Sequence, residues 1–399
     1  MTAFHLYDDA TAREFEPFAL TRPVGELRVG ARLIRERWER ATRMQAAGFI
    51  SSAHLEDFEE GGAPEPARGE LPAGAIVVNS RFAPMLAPVE NSWEVLAAEG
   101  RVAAVRLTSP LPVTELASGE MALESLAGNR PRSTVNGWWI DAVWDLLRDL
   151  EQRLTEDLLR LALEFPPVAP AHCAVVGKFR VHARDARIEP FVMFDCTEGP
   201  VVIEDGATVY AHTRIQGPMW IGPHSVVGGD RISACSIGPY SKVHGEATHA
   251  VFLGYANKPH DGFLGESYIG RWVNLGANTV TSNLKNTYGP VAIWTPSGTR
   301  DTGLQFLGTF FGDHAKTGIG MTMTTGSVIG AGAQVFGAET QPKVVPPFAW
   351  GHQPPYETFD LDKFLKVAER VMARRHVQMT DRMRAALRRA FDHRWSYDE

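Results

Sequence analysis

The sequence has few cysteines and no long apolar run, and both shortages narrow the class of protein. Only three cysteines occur among 399 residues, none in a CxxC arrangement, so neither a disulfide framework nor a structural zinc site is indicated. No apolar stretch approaches the roughly 20 residues needed to span a bilayer. The first ten residues lack a basic segment followed by an apolar run, so we expect no signal peptide and a cytoplasmic protein.

Positive charge is also in short supply. The formal net charge is -7, with 47 acidic residues against 40 lysines and arginines, which argues against general nucleic-acid binding. Hydrophobic residues make up 44% of the chain, and the length favours two or three domains. We therefore expect a multidomain globular protein whose partner is a small molecule, with neither nucleic acid nor a membrane as a partner.

A six-residue repeat runs from about residue 203 to residue 337. Aliphatic residues recur six positions apart, and a mostly small residue follows four positions after each. An α-helix would place such positions on nearly opposite faces, whereas stacked coils of short strands point all of them inward. The pattern predicts a left-handed parallel β-helix with inward residues Ile203, Val209, Ile215, Ile221, Val227, Ile237, Val243, Ile269, Leu275, Phe311, Thr317, Met323, Ile329 and Val335.

Two segments interrupt the repeat. Residues 244–268 and 282–310 do not keep the six-residue period. We expect both to project from the column as loops, and loops carried on a rigid scaffold are where chemistry usually resides.

The flanking regions have other patterns. Residues 1–165 combine short apolar runs such as Phe4–Tyr7 with apolar positions at helical spacing, which predicts an α/β domain. After residue 355 the spacing becomes helical, and a helix is expected to start at Thr380, a good N-cap. The predicted domains are an α/β domain at 1–165, a β-helix at 166–350 and a helical tail at 351–399.

One segment of the repeat region carries a specific motif, NKPHDGFLGESYIGRWVNLGANTVTSN at 257–283. It resembles the acetyltransferase half of the bifunctional N-acetylglucosamine-1-phosphate uridylyltransferase/glucosamine-1-phosphate acetyltransferase family. The shared features are His260, Gly265-Glu266, the run Val273–Ala277 and Asn283. Phe263 departs from the pattern, since the family has a tyrosine three residues after its histidine.

The whole chain is similar to a divergent bacterial branch of sugar nucleotidyltransferases. The segments Leu20–Gly30 and Ser282–Gly289 carry this second resemblance. Together the resemblances imply a transferase that moves an acetyl group from acetyl-CoA to an amino sugar phosphate or nucleotide sugar. They also imply a homotrimer with its active site between subunits, an arrangement that closes naturally into a ring.

The resemblance assigns roles to individual residues. His260 matches the catalytic base, and histidine, with an ordinary pKa of about 6.5, suits proton transfer near neutral pH. Lys258, Asn274 and Asn283 match substrate-binding positions. Backbone N–H groups near Gly276 and Gly312 are expected to hold the developing oxyanion. Contacts with coenzyme A are implied for Ala277, Asp313, Lys316 and Ala331.

The N-terminal domain departs further from its relatives. Its first strand is followed by Tyr7-Asp8-Asp9-Ala10 and not by a glycine-rich loop that would cradle phosphates. Thr21, Arg22 and Arg28 are the candidate nucleotide contacts instead, and Asp8 and Asp9 are the candidate Mg²⁺ ligands. A degenerate domain without activity is the competing interpretation.

Two other functions stay open. His244 and His249 lie five positions apart and His212 a few coils earlier, so one alternative is a zinc-dependent hydratase like the γ-carbonic anhydrases, with a three-histidine zinc site between subunits. The other is a non-catalytic trimeric scaffold that binds sugar nucleotides.

Overall fold

The computed structural model describes residues 3–90 and 92–397, which form two compact units. The first unit takes the chain up to Asp145 together with Thr380–His393, and the second takes Leu146–Met379 and the chain from Arg394 onward. The boundary between the two units thus falls after Asp145, earlier than the boundary predicted at residue 165. The segment Thr380–His393, which contains the last helix, belongs to the first unit. The domain boundaries drawn from the sequence stay predictions.

A six-stranded sheet forms the centre of the first unit. Its strands lie in the order Arg132–Thr134, Val95–Ala98, Arg101–Arg106, Ile76–Asn79, Phe4–Tyr7 and Ala46–Ile50. The last three run parallel, while Arg101–Arg106 is antiparallel to both of its neighbours. The predicted strand Phe4–Tyr7 is therefore confirmed at the middle of the parallel part. Three short pairs complete the strands: Arg28–Val29 with Arg32–Leu33, Glu70–Leu71 with Leu111–Pro112, and Phe82–Pro84 with Gly137–Trp139.

The first unit also contains α-helices, most of which pack on its strands. They are Ile34–Thr42, Val113–Leu116, Leu123–Ala127 and Asp381–Asp392. Trp38 is fully buried, and its indole N–H donates to the Phe82 carbonyl at 3.0 Å. The last helix is capped by Thr380, whose hydroxyl accepts from the Met383 N–H at 3.0 Å, as the sequence predicts.

The second unit is a column of stacked coils with three faces, which confirms the predicted left-handed β-helix. Face A has ten strands: Pro167–Val168, Val181–Ala183, Val201–Ile203, Met219–Ile221, Ser236–Ile237, Val251–Phe252, Tyr268–Ile269, Phe310–Phe311, Val328–Ile329 and Val344–Val345. Face B has six: Ala174–Val176, Met193–Asp195, Arg214–Gln216, Arg231–Ser233, Glu246–Thr248 and Phe263–Gly265. Face C has five in a first ladder: Arg187–Ile188, Thr208–Val209, Val226–Gly228, Lys242–His244 and Asn257–Lys258.

Faces B and C each continue in a second ladder. Face C goes on through single bridges from Asn257 to Asn274 and from Asn274 to Lys316. These lead to the four-stranded sheet Lys316–Thr317, Gln334–Val335, Ala349–Gly351 and Glu357–Thr358. Above face B, Val280–Thr281 pairs with Thr322–Met323.

The inward residues of the repeat make the core of the column. Val209, Val227 and Val243 lie in register, one above another, and each is at most 2% exposed. A buried valine or isoleucine contributes about 1.5–3 kcal/mol relative to an exposed one, and a single coil cannot bury its own. The column therefore gains stability by stacking, and it extends beyond the predicted repeat at both ends.

One of the two predicted loops is wrong. Within 244–268, the strands Glu246–Thr248, Val251–Phe252, Asn257–Lys258 and Phe263–Gly265 all pair with the coils below. The other segment, 282–310, does project, and it carries the antiparallel hairpin Ala292–Thr295 with Gly298–Asp301. His260 thus lies at a corner of a regular coil and not on a projecting loop.

Two helices accompany the column, Leu150–Leu161 and Leu361–Ala373. The first packs its buried leucines, Leu154 and Leu158 among them, against face A near Met219–Ile221. Across the part of the chain that the structure describes, no helix is both long and apolar enough to cross a bilayer.

Candidate active site

The coils turn at three corners, and the predicted catalytic histidine lies at one of them. The chain passes from face A to face C, then to face B, and back to face A. His260 follows the face C strand Asn257–Lys258 and precedes the face B strand Phe263–Gly265, so it lies at the C–B corner. Its side chain is exposed, and its ring makes no hydrogen bond to any residue in 3–90 or 92–397. An imidazole in this state can take a proton from a bound nucleophile.

The backbone around His260 is tightly fixed. Gly262 has φ +124°, and a Cβ atom placed there would come within 2.3 Å of the Thr279 carbonyl oxygen on the next coil. The Asn278 N–H donates to the Asp261 carbonyl at 2.9 Å, which ties the same corner to that coil. The exposed imidazole is therefore carried by a rigid turn.

Lys258 differs from its predicted role. It takes the inward position held by Val243 one coil below, and it is 2% exposed. Its Nζ donates to the carbonyls of His244 at 2.7 Å and His260 at 3.0 Å. The ammonium thus points at the corner backbone from inside the column, where a substrate phosphate does not reach it. Lys258 supports the corner that carries His260.

This burial predicts a pH effect on stability. Burial lowers the pKa of Lys258 to about 8, against the opposing charges of Asp261 and Glu246. Between about pH 8 and the ordinary lysine value of about 10.4 the unfolded chain holds a proton that the folded chain has lost, so the free energy of unfolding rises with pH. We expect Lys258→Met to remove up to about 3 kcal/mol of that rise. Chemical denaturation from pH 7 to pH 10.5 measures it.

The control for this prediction is Lys242→Met, which removes an exposed lysine from the neighbouring coil of the same face. Burial also lowers the pKa of Lys316 to about 8. Because Lys316 is present in both variants, each of them should still show part of the increase in unfolding free energy with pH. Equal pH dependence in Lys258→Met and the wild type would contradict the buried, destabilised ammonium.

Asn274 and Lys316 are brought together on the outer side of face C. They are bridge partners, and the Asn274 Oδ1 accepts from the Asn257 Nδ2 at 2.6 Å. The Asn257 Oδ1 in turn accepts from the Arg375 guanidinium at 3.4 Å. Lys316 Nζ donates to the His314 carbonyl at 3.0 Å. These side chains form a polar strip beside the corner of His260.

Asn283 lies at a different corner, between faces B and A. Its Nδ2 donates to the Glu266 Oε2 at 2.5 Å. Burial raises the pKa of Glu266, although the Asn283 hydrogen bond and the charge of His249 act the other way. The His249 Nε2 lies 3.4 Å from Glu151 of the helix Leu150–Leu161. Nothing in the sequence near Asn283 signals Glu151, because 132 positions separate them.

The predicted coenzyme A contacts are mostly interior. Asp313 is 3% exposed and accepts from the Arg271 N–H at 2.8 Å, and Ala331 is 1% exposed. Ala277 is half-buried, and its carbonyl accepts from the Gly320 N–H at 2.8 Å. Their role in binding the coenzyme stays a prediction.

The predicted oxyanion donors are already used. The Gly276 N–H donates to the Thr317 hydroxyl at 2.9 Å, and the Gly312 N–H donates to the Ile329 carbonyl at 2.8 Å. These two N–H groups are therefore occupied in the column, and a role for neighbouring backbone N–H groups stays a prediction.

The three histidines of the zinc alternative do not meet within the chain. His212 and His244 lie at the C–B corner on different coils, and His249 lies at the B–A corner. The His212 ring stacks on Phe191, and the His244 Nδ1 is 3.2 Å from Asp261. Residues 3–90 and 92–397 contain no group of three or more histidine, cysteine or acidic side chains placed to hold a metal.

In the first unit, the candidate metal ligands Asp8 and Asp9 follow the central strand, and their carboxylate oxygens accept hydrogen bonds except for the Asp8 Oδ1, which is buried without a partner among the described residues. The Asp8 Oδ2 accepts from Ser51 at 2.6 Å and from the Val24 N–H at 3.0 Å, and burial raises the pKa of Asp8. Burial acts to raise the pKa of Asp9 as well, but hydrogen bonds and charge from Arg81 outweigh it and lower that pKa. Mg²⁺ needs open carboxylate oxygens and room for water ligands. This pair does not fit it.

The candidate nucleotide contacts are likewise occupied. Arg22 is 3% exposed and pairs with Glu60 at 2.7 Å, and Arg28 is 2% exposed and donates to the Ala31 carbonyl at 2.8 Å. The Thr21 hydroxyl donates to the Phe18 carbonyl at 3.3 Å. These groups hold the segment Leu20–Gly30 in place, which gives that segment a structural explanation.

A cavity of about 240 Å³ does lie beside Asp9 at the carboxyl ends of the central strands. Arg81 lines this cavity and forms salt bridges with Asp9 at 2.7 Å and with Asp141 at 2.5 Å. Arg101 pairs with Asp141 at 2.9 Å and lies 3.8 Å from the centre of the Trp139 ring. At about 240 Å³ the cavity is smaller than the roughly 300–1,000 Å³ of small-molecule sites, and Glu120 and Glu124 add negative charge to its wall, so it does not suit a nucleoside triphosphate.

Comparison with known proteins confirms the predicted resemblance. Residues 4–164 match the family described as sugar nucleotidyl transferase, so the N-terminal part of the chain carries such a domain. The chain is 36% identical over 78 residues to a bifunctional sugar-1-phosphate nucleotidylyltransferase/acetyltransferase of Sulfurisphaera tokodaii, covering 20% of each protein. It is also 36% identical over 73 residues to the bifunctional protein GlmU of Methanococcus vannielii, covering 18% of this chain and 17% of that protein.

These matches cover limited parts of the chains. The chain spans about a fifth of the length of the curated relatives it matches. Among solved structures, a Bacillus cereus protein described as an acetyltransferase aligns with 56% of this chain and 98% of its own, at 14% identity and a TM-score of 0.22. A TM-score of that size does not by itself establish a common fold.

Proposed function

We propose that this protein is an acyltransferase that acetylates an amino sugar phosphate or nucleotide sugar, with acetyl-CoA as the donor and His260 as the general base. The observation that carries the proposal is the exposed, unpaired His260 imidazole on a rigid corner of the column, inside the motif of residues 257–283. A base held in a fixed orientation accelerates proton transfer because no conformational entropy is lost in orienting it for each reaction.

The proposed step follows from this placement. The amine nitrogen of the acceptor attacks the thioester carbonyl carbon while the His260 imidazole accepts a proton from that nitrogen. The carbon–sulfur bond then breaks, and the imidazolium returns the proton to the departing thiolate of coenzyme A. Asn274 and Lys316, on the adjoining strip of face C, are proposed to contact the substrates, and assembly as a homotrimer is proposed to complete the groove around them.

The test is direct. Purified protein is incubated with acetyl-CoA and glucosamine-1-phosphate, and the released thiol is followed. We expect turnover that depends on both substrates, and light scattering should give three times the chain mass. A protein that binds these compounds without turnover would be the non-catalytic scaffold.

We further propose that the N-terminal domain has lost nucleotidyl transfer. Asp9, Arg22 and Arg28 are already bonded within the unit, and no glycine-rich loop follows the central strand. We expect Mg²⁺ with a nucleoside triphosphate to leave the melting temperature unchanged. A functional site at 100 times its Kd would add about 2.7 kcal/mol, and for a domain of this size each kcal/mol raises the melting temperature by about 2–4 °C.

Nucleoside triphosphates should be screened singly and with sugar-1-phosphates by thermal shift and by pyrophosphate release. A clear thermal shift or pyrophosphate release would show that the domain retains its site.

A further inference from the structure

A second cavity lies in the column unit, away from His260. It has a volume of about 650 Å³ and opens at the B–A corner. Its walls are the first turns of the helix Leu150–Leu161, the corner residues His249 and Glu266, and the stretch 304–306 of the projecting segment. This volume is in the range that small-molecule sites occupy, and the proposed acyl transfer does not use the cavity.

The charge of the cavity is strongly negative. Four acidic residues line it: Asp149, Glu151, Glu156 and Glu266. One arginine, Arg148, also lines it, and its guanidinium donates to the Thr302 carbonyl at 3.1 Å. Carboxylates in a concave, partly desolvated wall attract a cation and repel a phosphate. A ligand of this cavity should therefore carry positive charge.

Glu266 points to a ligand most directly. Its Oε2 accepts from Asn283, but its Oε1 lies 3.7 Å from the His249 Nδ1, beyond hydrogen-bond distance. The His249 Nδ1 is instead 2.9 Å from the Thr248 hydroxyl, and its Nε2 faces Glu151. The side chain of Glu266 is 19% exposed and lines the cavity, and its Oε1 has no partner within hydrogen-bond distance among the described residues. Such an oxygen gains from a donor brought by a ligand.

The remaining wall is apolar. Phe306 is 46% exposed, and Leu304 and Leu147 also line the cavity. An exposed aromatic ring beside carboxylates suits a molecule with C–H groups on one side and donors on the other, as a sugar ring has.

We propose that this cavity binds a small molecule that carries a protonated amine and several hydroxyl groups but no phosphate, the class of an unphosphorylated amino sugar. Glu151 and Glu266 take the ammonium and hydroxyl donors, and Phe306 packs on the apolar side of the ring. The site is separate from the acceptor position proposed beside His260, because the face B strand Phe263–Gly265 lies between the two corners.

Isothermal titration of the 399-residue protein with glucosamine tests the proposal, with glucose as the comparator. We expect saturable binding of glucosamine, with glucose at least about tenfold weaker, a difference of about 1.4 kcal/mol. Glu266→Gln and Phe306→Ala should each weaken glucosamine binding about tenfold. His352→Ala should leave it unchanged and serves as the control, because His352 is exposed and does not line the cavity.

Three outcomes would overturn the proposal. They are no saturable binding of glucosamine, equal binding of glucose, or wild-type affinity for glucosamine in both cavity variants. Phe306→Ala changes an exposed side chain, so it reports on the cavity even where Glu266→Gln lowers stability. The readout is binding alone, so a failure here leaves the acetyl transfer assay of His260 untouched, and a failure of that assay leaves the cavity untouched.

Discussion

Replacement of His260 by alanine is expected to lower kcat for acetyl transfer about 100- to 10,000-fold, the usual contribution of a general base. The KM values should change little, because the proposed role of the imidazole is to accept a proton and not to hold the ground state. The melting temperature should not change, since the side chain is exposed and bonds to none of the described residues. Steady-state kinetics with both substrates varied, together with thermal denaturation, gives these values.

Two controls separate proton transfer from a structural effect of His260. His352→Ala removes another exposed histidine of the column, which lies 3.8 Å from Glu339, and should retain full activity. Added imidazole should partly restore the His260→Ala variant, because a free base can enter the space left at the corner. Undiminished acetyl transfer in the variant would remove His260 from the mechanism.

The architecture of the column could be predicted because its cause is local and periodic. Every six residues the chain must supply an inward aliphatic side chain, and Ile203, Val209 and Ile215 do so without interruption. The family motif of residues 257–283 is contiguous, so it could be recognised without knowing which coil carries it. Both the fold and the position of His260 follow from short-range information.

The segment 244–268 shows where that reasoning stops. Successive inward residues Val227, Ile232 and Ile237 are five apart, because some sides of the coil are one residue shorter than the repeat. The next inward residues, Phe252, Lys258 and Leu264, are again six apart. Because the middle one is a lysine and not an aliphatic residue, the six-residue period is not recognisable there. Val243 and Ala247 are only four apart, so a search that allowed sides of four or five residues and one polar member would have found the coil.

Contacts over long sequence distances could not be predicted at all. The meeting of Glu151 with His249 depends on how the helix Leu150–Leu161 lies on face A, which no local pattern specifies. The hydrogen bonding of the predicted oxyanion donors could not be predicted for a related reason. Whether the Gly276 N–H is free depends on the Thr317 hydroxyl one coil above, and stacking in a β-helix uses nearly every backbone group.

The fixed corner around His260 makes Gly262→Ala the other change with a large expected effect. At φ +124°, alanine strains the backbone, and its Cβ would lie 2.3 Å from the Thr279 carbonyl oxygen. That atom is backbone of the adjacent coil and cannot rotate away, so the corner itself has to shift. We expect a loss of about 1–3 kcal/mol in stability. Since a displacement of about 1 Å in a catalytic group can cost about 100-fold in rate, kcat should fall by that factor.

Gly289→Ala is the matched control, because the nearest atom to its added Cβ, the Thr287 hydroxyl, is 3.8 Å away. Denaturation midpoints and kcat for the two alanine variants should therefore separate, with the Gly289 variant close to the wild type in both. The informative case is a Gly262→Ala protein that loses stability but keeps its kcat. The corner would then tolerate displacement, and the rigid placement of His260 could not be what makes it an effective base.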